Sequence, residues 1–348
     1  MGEISITHRR QGLAARERAR YVANRRGNHA SSRQPETGRI ETREFNLGYT
    51  LAGGQVFRWG RDVDGWWKGV AYDTVFHLRQ VGDTLMYRAG ASSVATYLGE
   101  MSVTGFLEWY LRLNERPRIR VPRSDRYLRR ARDLLKGFRF VRQMPFECVI
   151  SYILSVQAHM NLTKRRVNFL AESWGREVAY MGRKYCTFPE PDALARLKGP
   201  YFRSNRFGWR SERVAETARF VSERTRGEPG KLTLDDWREI VDALKKRAGT
   251  GVGLKVGKCI DLFALERLDA VPVDTWVLKM AREWYHIEGT DRRVCEWAEA
   301  RGGRSAGYMN EYLFAYYREL NGPSPEDRVI SFCASDAPSA ELPMRDEG

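Results

Sequence analysis

The sequence predicts an α+β protein in which a small antiparallel β-rich domain packs on a larger, mostly helical one. Between Phe45 and Gly90, short runs rich in Val, Phe, Trp and Tyr are separated by Gly and Asp, a pattern of strands joined by tight turns. Beyond about Pro122 the apolar residues recur three and four apart, as in SDRYLRRARDLLKGF and RSERVAETARFVSERT, which is the period of an amphipathic helix. With 348 residues, 42% of them hydrophobic and 12% aromatic, there is apolar material for a core in both parts.

Taken in order, residues 1–40 hold nine Arg, no Lys and three acids, Glu3, Glu17 and Glu36. Few large apolar residues accompany them, so the segment reads as a disordered basic arm. An organellar transit peptide is the alternative, weakened by Glu3 and Glu17, and a plain extension with no role is as compatible as an arm that grips a polyanion. Residues 41–122 form the β-rich domain, with turns at Val63-Asp64-Gly65 and Gly82-Asp83. Residues 123–320 form the helical domain. Residues 321–348, rich in Pro, Ser and Asp, read as a flexible tail. The dense Arg between Arg116 and Arg142 recur around a helix, which describes a solvated face first and a DNA contact second.

The chain carries 59 Lys and Arg against 44 acids, a net charge of +15, which favours a polyanionic partner. No apolar run reaches the ~18 residues of a membrane span, so nucleic acid is the expected partner and a membrane is not. Cys148, Cys186, Cys259, Cys295 and Cys333 are too scattered for a zinc pair or an iron–sulfur spacing. No metal or organic cofactor is expected, and widely spaced thiols suit a reducing, intracellular setting.

The chemistry concentrates in GTGVGLKVGKC, Gly249 to Cys259. The glycines Gly249, Gly251 and Gly253 punctuate a turn that opens a helix, where free backbone N–H groups can hold a DNA phosphate. Behind the turn, Lys255 lies in the first helical turn, where the positive end of the dipole disfavours an added cation, and an amine there can attack a sugar carbon. Cys259, four residues on, faces the same way. Asp274 follows in AVPVDTW, at the N-cap position of the helical pattern TWVLKMAREWY. Singly, Lys255 reads as a surface lysine and Asp274 as a cap. Together, a helix, a short loop and a capped second helix can bring amine and carboxylate to one cleft, where the carboxylate offsets positive charge on a sugar losing its base.

With LAGGQVFRW (Leu51 to Trp59), the hairpin around Lys255 and VPVD ending at Asp274, the chain from about Phe45 to Leu320 resembles the helix-hairpin-helix DNA glycosylases, specifically the 8-oxoguanine branch. The resemblance implies a base-excision-repair glycosylase and AP lyase in which Lys255 attacks the deoxyribose C1′, a Schiff base forms, β-elimination follows, and Asp274 assists. It further implies that the Gly54 carbonyl accepts from N7–H of oxidised guanine. Normal guanine has an acceptor at N7, so two acceptors would then face each other. By the same resemblance Cys259 and Phe314 sandwich a flipped base, and Asn310 reads its pairing edge. Trp209 and Arg210 in FGWRSERV take the places of the wedge and of the arginine that meets the orphaned partner base.

Departures accompany the match. The Asn-rich run expected after Ser155 is here Gln157, Ala158 and His159, an expected Arg is Leu162, and Thr250 stands where Pro is usual. Gln157 offers the amide of an Asn one methylene further out, so recognition of the opposite base is open. The implied partner is double-stranded DNA bearing an oxidised guanine, met by a monomer in cytoplasm, nucleoid or nucleus, with organellar import left open. Two rivals remain: a glycosylase for alkylated or other damaged bases, which generally lacks the lysine, and a non-catalytic helix-hairpin-helix DNA-binding protein, which leaves the amine and carboxylate unexplained.

Overall fold

Turn chemistry sets the register of the N-terminal sheet. A computed structural model of the chain describes residues 35–197, 207–225 and 229–321. Strands β1 (Glu36–Glu41), β2 (Trp59–Arg61), β3 (Trp67–Ala71), β4 (Thr74–Val81) and β5 (Thr84–Ala89) make one antiparallel sheet in the order β1-β5-β4-β3-β2. Between β4 and β5, Val81 pairs with Thr84 across Gly82-Asp83. Between β2 and β3 the Asp62 carboxylate accepts from the Trp66 N–H at 2.9 Å. Both turns fall where Gly and Asp predict them.

Alternation along β4 explains why both faces of the sheet are covered. Phe76 and Leu78 point to one face, where α2 (Val103–Tyr110) lies and Phe106 stacks on Phe76 with centroids 5.3 Å apart. Val75 and His77 point to the other, which is covered by the hairpin β8 (Glu177–Tyr180) and β9 (Arg183–Cys186); His77 Nε2 and the Tyr185 hydroxyl are 2.9 Å apart. A second small hairpin, β6 (Ser93–Thr96) and β7 (Gly99–Ser102), leads into α2.

The helical part is built around α4 (Pro145–Ser155), most of which is enclosed, with Phe146, Cys148, Val149, Ile150, Ile153 and Leu154 all buried. Around it lie α3 (Arg126–Leu134), α5 (Met160–Trp174), α6 (Pro191–Ala195), α7 (Arg210–Thr225), α8 (Leu234–Lys246), α9 (Leu254–Ala264), α10 (Thr275–Tyr285), α11 (Asp291–Gly302) and α12 (Ala306–Asn321). A short helix, α1 (Leu47–Ala52), is capped by Asn46, whose side chain accepts from the Tyr49 N–H. The two parts are clamped by buried Arg112, which pairs with Glu266 at 2.5 Å and Glu115 at 2.8 Å.

The sheet followed by a mostly helical remainder is the predicted α+β arrangement, with three local corrections. The arm assigned to residues 1–40 lies outside the described residues except at its end, where Glu36–Ile40 belong to β1 and Ile40 is buried. Pairing with β5 supplies the order that an isolated polar segment lacks. The helices α1 and α2 stand within the predicted β stretch, and β8–β9 within the helical one. Met181 (φ 49°) and Gly182 (φ 71°) give that hairpin two left-handed turn residues, matching the twist of paired strands. The tail assigned to residues 321–348 falls outside the described residues after Asn321, the last residue of α12. No described helix is long and apolar enough to cross a membrane.

Candidate active site

Five segments come together: the Gly53–Phe57 loop, the C-terminal end of α4, the N-terminal ends of α9 and α10, and one side of α12. Gln55, 1% exposed, fixes the first. Its amide nitrogen donates to the carbonyls of Thr50 at 2.7 Å and Arg139 at 2.8 Å, and its amide oxygen accepts from the Val141 N–H at 2.8 Å. Its own carbonyl accepts from the Gln143 amide at 2.7 Å and the Tyr152 hydroxyl at 3.2 Å. The neighbouring Gly54 is thereby held at φ +91°, with Met160 Cε 2.8 Å and Arg318 Nη1 3.9 Å from the point a Cβ would occupy. Only glycine takes that conformation readily. Buried Arg58, from the same motif, bonds to the Cys186 carbonyl and lies 3.4 Å from Glu147, tying the loop to α4 and β9.

Lys255 occupies the first turn of α9. Its Nζ lies 3.5 Å from the Ser155 hydroxyl and 5.4 Å from the centre of the Tyr152 ring, so the ammonium is steered by a hydroxyl and a π face. Tyr152 links this amine to the Gly54 loop through its bond to the Gln55 carbonyl. Asp274 is the N-cap of α10, one oxygen accepting from the Trp276 and Val277 N–H groups, both at 2.9 Å. Cys259, 2% exposed, lies among these groups. Burial pushes its thiol up to about 11, and Lys255 opposes that shift while Asp274 and Glu311 reinforce it. Cys259 is therefore a neutral, apolar wall.

The far side is α12, where Asn310 is 3% and Glu311 7% exposed, Phe314 is half-buried, and the Arg318 guanidinium lies 5.3 Å from the Phe314 ring centre. Cys259 thus has Lys255, Asp274 and Glu311 around it, the Gly54 loop is tied in through Gln55 and Tyr152, Arg318 reaches both Gly54 and Phe314, and Asn310 is buried on the same helix as Phe314. Gln55, Tyr152, Ser155, Glu311 and Arg318 make these contacts without having been singled out in the sequence. A signal existed for the last two: Glu311 and Arg318 stand three before and four after Phe314, on the same stripe of the helix.

Residues 39–149 match the family model for the 8-oxoguanine DNA glycosylase N-terminal domain. A solved structure of MBOgg1 in complex with a low-affinity DNA ligand superposes with a TM-score of 0.69 at 26% identity, covering 83% of this chain and 99% of that one. The N-glycosylase/DNA lyase OGG1 of Arabidopsis thaliana is 28% identical over 284 residues, 78% of this chain and 77% of its own length. A probable N-glycosylase/DNA lyase of Methanothermobacter thermautotrophicus is 30% identical over 218 residues, 56% of this chain and 68% of the relative. The chain belongs to the 8-oxoguanine DNA glycosylase family of the helix-hairpin-helix superfamily.

In this glycosylase the hairpin runs from α8 to α9. Gly249 (φ 85°) and Gly251 (φ 76°) adopt left-handed backbone, and Arg213 Cδ lies 2.7 Å from where a Gly251 Cβ would sit. Gly253 caps α9 with no side-chain bond to the first N–H groups. Thr250, in the place of the usual Pro, is 1% exposed and stiffens the turn differently: its hydroxyl bonds to the carbonyls of Leu244 at 3.0 Å and Arg247 at 3.1 Å. Behind the hairpin, Lys245 and Arg267 each bond to both Asp242 and Asp261, all at 2.7–2.9 Å. Those cations hold the Asp242 carboxyl well below the usual carboxylate range.

Trp209 is 41% exposed, with Arg213 and Arg210 at 4.2 and 4.4 Å from its ring centre. Arg210 departs from expectation. It is 6% exposed and its guanidinium is spent on the carbonyls of Val156 and Gln157, the latter at 3.0 Å, so it shapes the turn after α4 instead of extending toward a partner base. That turn displays Gln157, exposed and at φ 48°. Asn tolerates this conformation better than Gln, which gives the expected Asn a backbone reason besides its amide. Among the described residues no group of three or more His, Cys, Asp or Glu is placed to hold a metal.

Proposed function

We propose that the chain removes 8-oxoguanine from duplex DNA through Lys255 and then nicks the strand as an AP lyase. The family supplies the glycosylase/lyase class. The observation that carries the residue assignment is the convergence on Cys259 of an amine and a carboxylate from the first turns of successive helices.

In this reading the Lys255 amine forms a bond to C1′ as the C1′–N9 bond breaks and its electron pair leaves with the base. Asp274, with one oxygen engaged by backbone N–H groups and the other making no hydrogen bond among the described residues, offsets the positive charge that grows on the sugar. Opening of the sugar ring gives the Schiff base, and loss of a C2′ proton expels the 3′-phosphate. The flipped base lies between Cys259 and Phe314, with Gly54 positioned to test N7 and Asn310 to meet the pairing edge. The hairpin amides hold the backbone phosphate, and Trp209 fills the gap in the stack. Phosphate contacts then dominate affinity, which falls as salt rises.

Borohydride trapping tests this. A duplex with one 8-oxoguanine, placed opposite each of the four bases in turn, is expected to give a covalent adduct with the wild type and none with Lys255→Gln. Absence of an adduct with every partner refutes the lyase assignment. The dependence on the opposite base reads out what Gln157 and Leu162 have changed.

A further inference from the structure

Asn310 and Glu311 are adjacent on α12 and more than nine-tenths buried, yet neither side chain makes a hydrogen bond among the described residues, and none of their unpaired side-chain polar atoms is sealed from solvent. Polar side chains this deeply buried are almost always hydrogen-bonded within the protein, and these two keep their polar atoms free for a partner from outside. Two together on a pocket wall indicate a ligand that supplies the missing bonds. Glu311 also lies on the stripe that faces the lesion-testing loop. Phe314 and Arg318 follow it at i+3 and i+7, and the Arg318 guanidinium reaches to 3.9 Å from the Cβ point of Gly54.

The excision reading given above supplies the ligand, and its chemistry divides the work. The pairing edge of an oxidised guanine presents an acceptor at O6, a donor at N1–H and a donor in the 2-amino group. The Asn310 amide has one donor and one acceptor side by side and matches O6 and N1–H. That leaves the amine without an acceptor. We propose that Glu311 is a specificity residue whose carboxyl oxygen accepts a hydrogen bond from the 2-amino group of the flipped base. A carboxyl group keeps an accepting oxygen whether or not the other oxygen carries a proton, so the assignment does not depend on its charge. Burial does push the Glu311 carboxyl up to about 8, with Asp274 reinforcing the shift and Arg318 opposing it.

The test is a cycle of protein and base. Single-turnover release of 8-oxoguanine is compared with that of 8-oxohypoxanthine, which lacks the 2-amino group, for the wild type, Glu311→Gln and Glu311→Met. The wild type is expected to release the amine-free base roughly 10- to 100-fold more slowly, the loss of one hydrogen bond from a buried acceptor. Glu311→Met should lose a similar factor on 8-oxoguanine and little more on 8-oxohypoxanthine, because the two deletions remove the same bond. Glu311→Gln keeps an accepting carbonyl and should restore most of the 8-oxoguanine rate. Equal release of both bases by the wild type overturns the assignment without reference to any variant, as does an equal loss by Glu311→Met on both bases, or a Gln variant as slow as Met. A wild type that releases no 8-oxoguanine overturns the excision reading and this assignment with it.

Discussion

Asp274 caps α10 and carries a proposed catalytic task, and substitution separates the two. One oxygen accepts from two backbone N–H groups at 2.9 Å and caps α10; the proposed catalytic task belongs to the charge. Asn caps a helix about as well as Asp, so Asp274→Asn should keep the cap and lose only the charge–dipole contribution, about 0.3–1 kcal/mol. Asp274→Ala loses the cap as well, about 1–2 kcal/mol in all, which for a protein of this size lowers Tm by roughly 2–5 °C. Removing a preorganised electrostatic partner from a developing charge costs roughly 10²- to 10³-fold in rate. Both variants should therefore release 8-oxoguanine that much more slowly in single-turnover assays, while only the Ala variant melts clearly earlier by calorimetry. An Asn variant that excises at the wild-type rate would refute the electrostatic assignment and leave Asp274 as a cap alone.

Gly54→Ala puts a side chain at φ +91° and 2.8 Å from Met160 Cε; a strain of about 1–3 kcal/mol should appear as a lower Tm together with lost release of 8-oxoguanine, and unchanged release counts against Gly54 as a lesion reader. Asp261→Ala leaves Lys245 and Arg267 with Asp242 as their remaining partner, and because both cations are partly exposed a loss of about 1–3 kcal/mol is expected, read by urea unfolding. The same network makes the fold acid-sensitive: Asp242 is held low, so its contribution is present above the unfolded carboxylate pKa of roughly 4 and is lost as pH falls below it, an effect the Asp261 variant should show in weakened form. Glu311 has the opposite sign. With a folded value raised to about 8, the stability held by its protonated form is complete below roughly pH 4 and drains away as pH rises toward 8. At about 1.4 kcal/mol per pH unit the ceiling at neutral pH is about 4 kcal/mol. Glu311→Gln should accordingly raise Tm at pH 7 and 8 and converge with the wild type near pH 4; a constant difference across that range refutes the buried-carboxyl account.

Local chemistry made much of the fold legible. The helices Arg210–Thr225 and Thr275–Tyr285 coincide with the apolar periods RSERVAETARFVSERT and TWVLKMAREWY, because spacing and capping residues are adjacent in the chain. The turns at Gly65 and Gly82 were legible for the same reason. The β8–β9 hairpin was not, although Met181-Gly182 between EVAY and RKYC carries a turn signal; its partner is the outer face of β4, about a hundred residues away, where Tyr185 meets His77. β1 was missed because its order comes from pairing with β5, not from its own few apolar residues.

The site divides along the same line. Lys255 behind a glycine turn, Asp274 at a cap and the LAGGQVFRW motif are short-range patterns, and they determined the family and the class of chemistry before any coordinates. What a neighbour does to a side chain cannot be read locally. Only the tertiary structure decided that Gln55 and Arg58 brace the motif, and that Arg210 is spent on the Val156 and Gln157 carbonyls. Only the structure, too, left a carboxyl at Glu311 buried in the pocket with no hydrogen bond among the described residues. Spacing along a helix shows which residues share a face, but whether that face meets apolar core, solvent or a base pocket depends on segments remote in sequence that the fold brings against it.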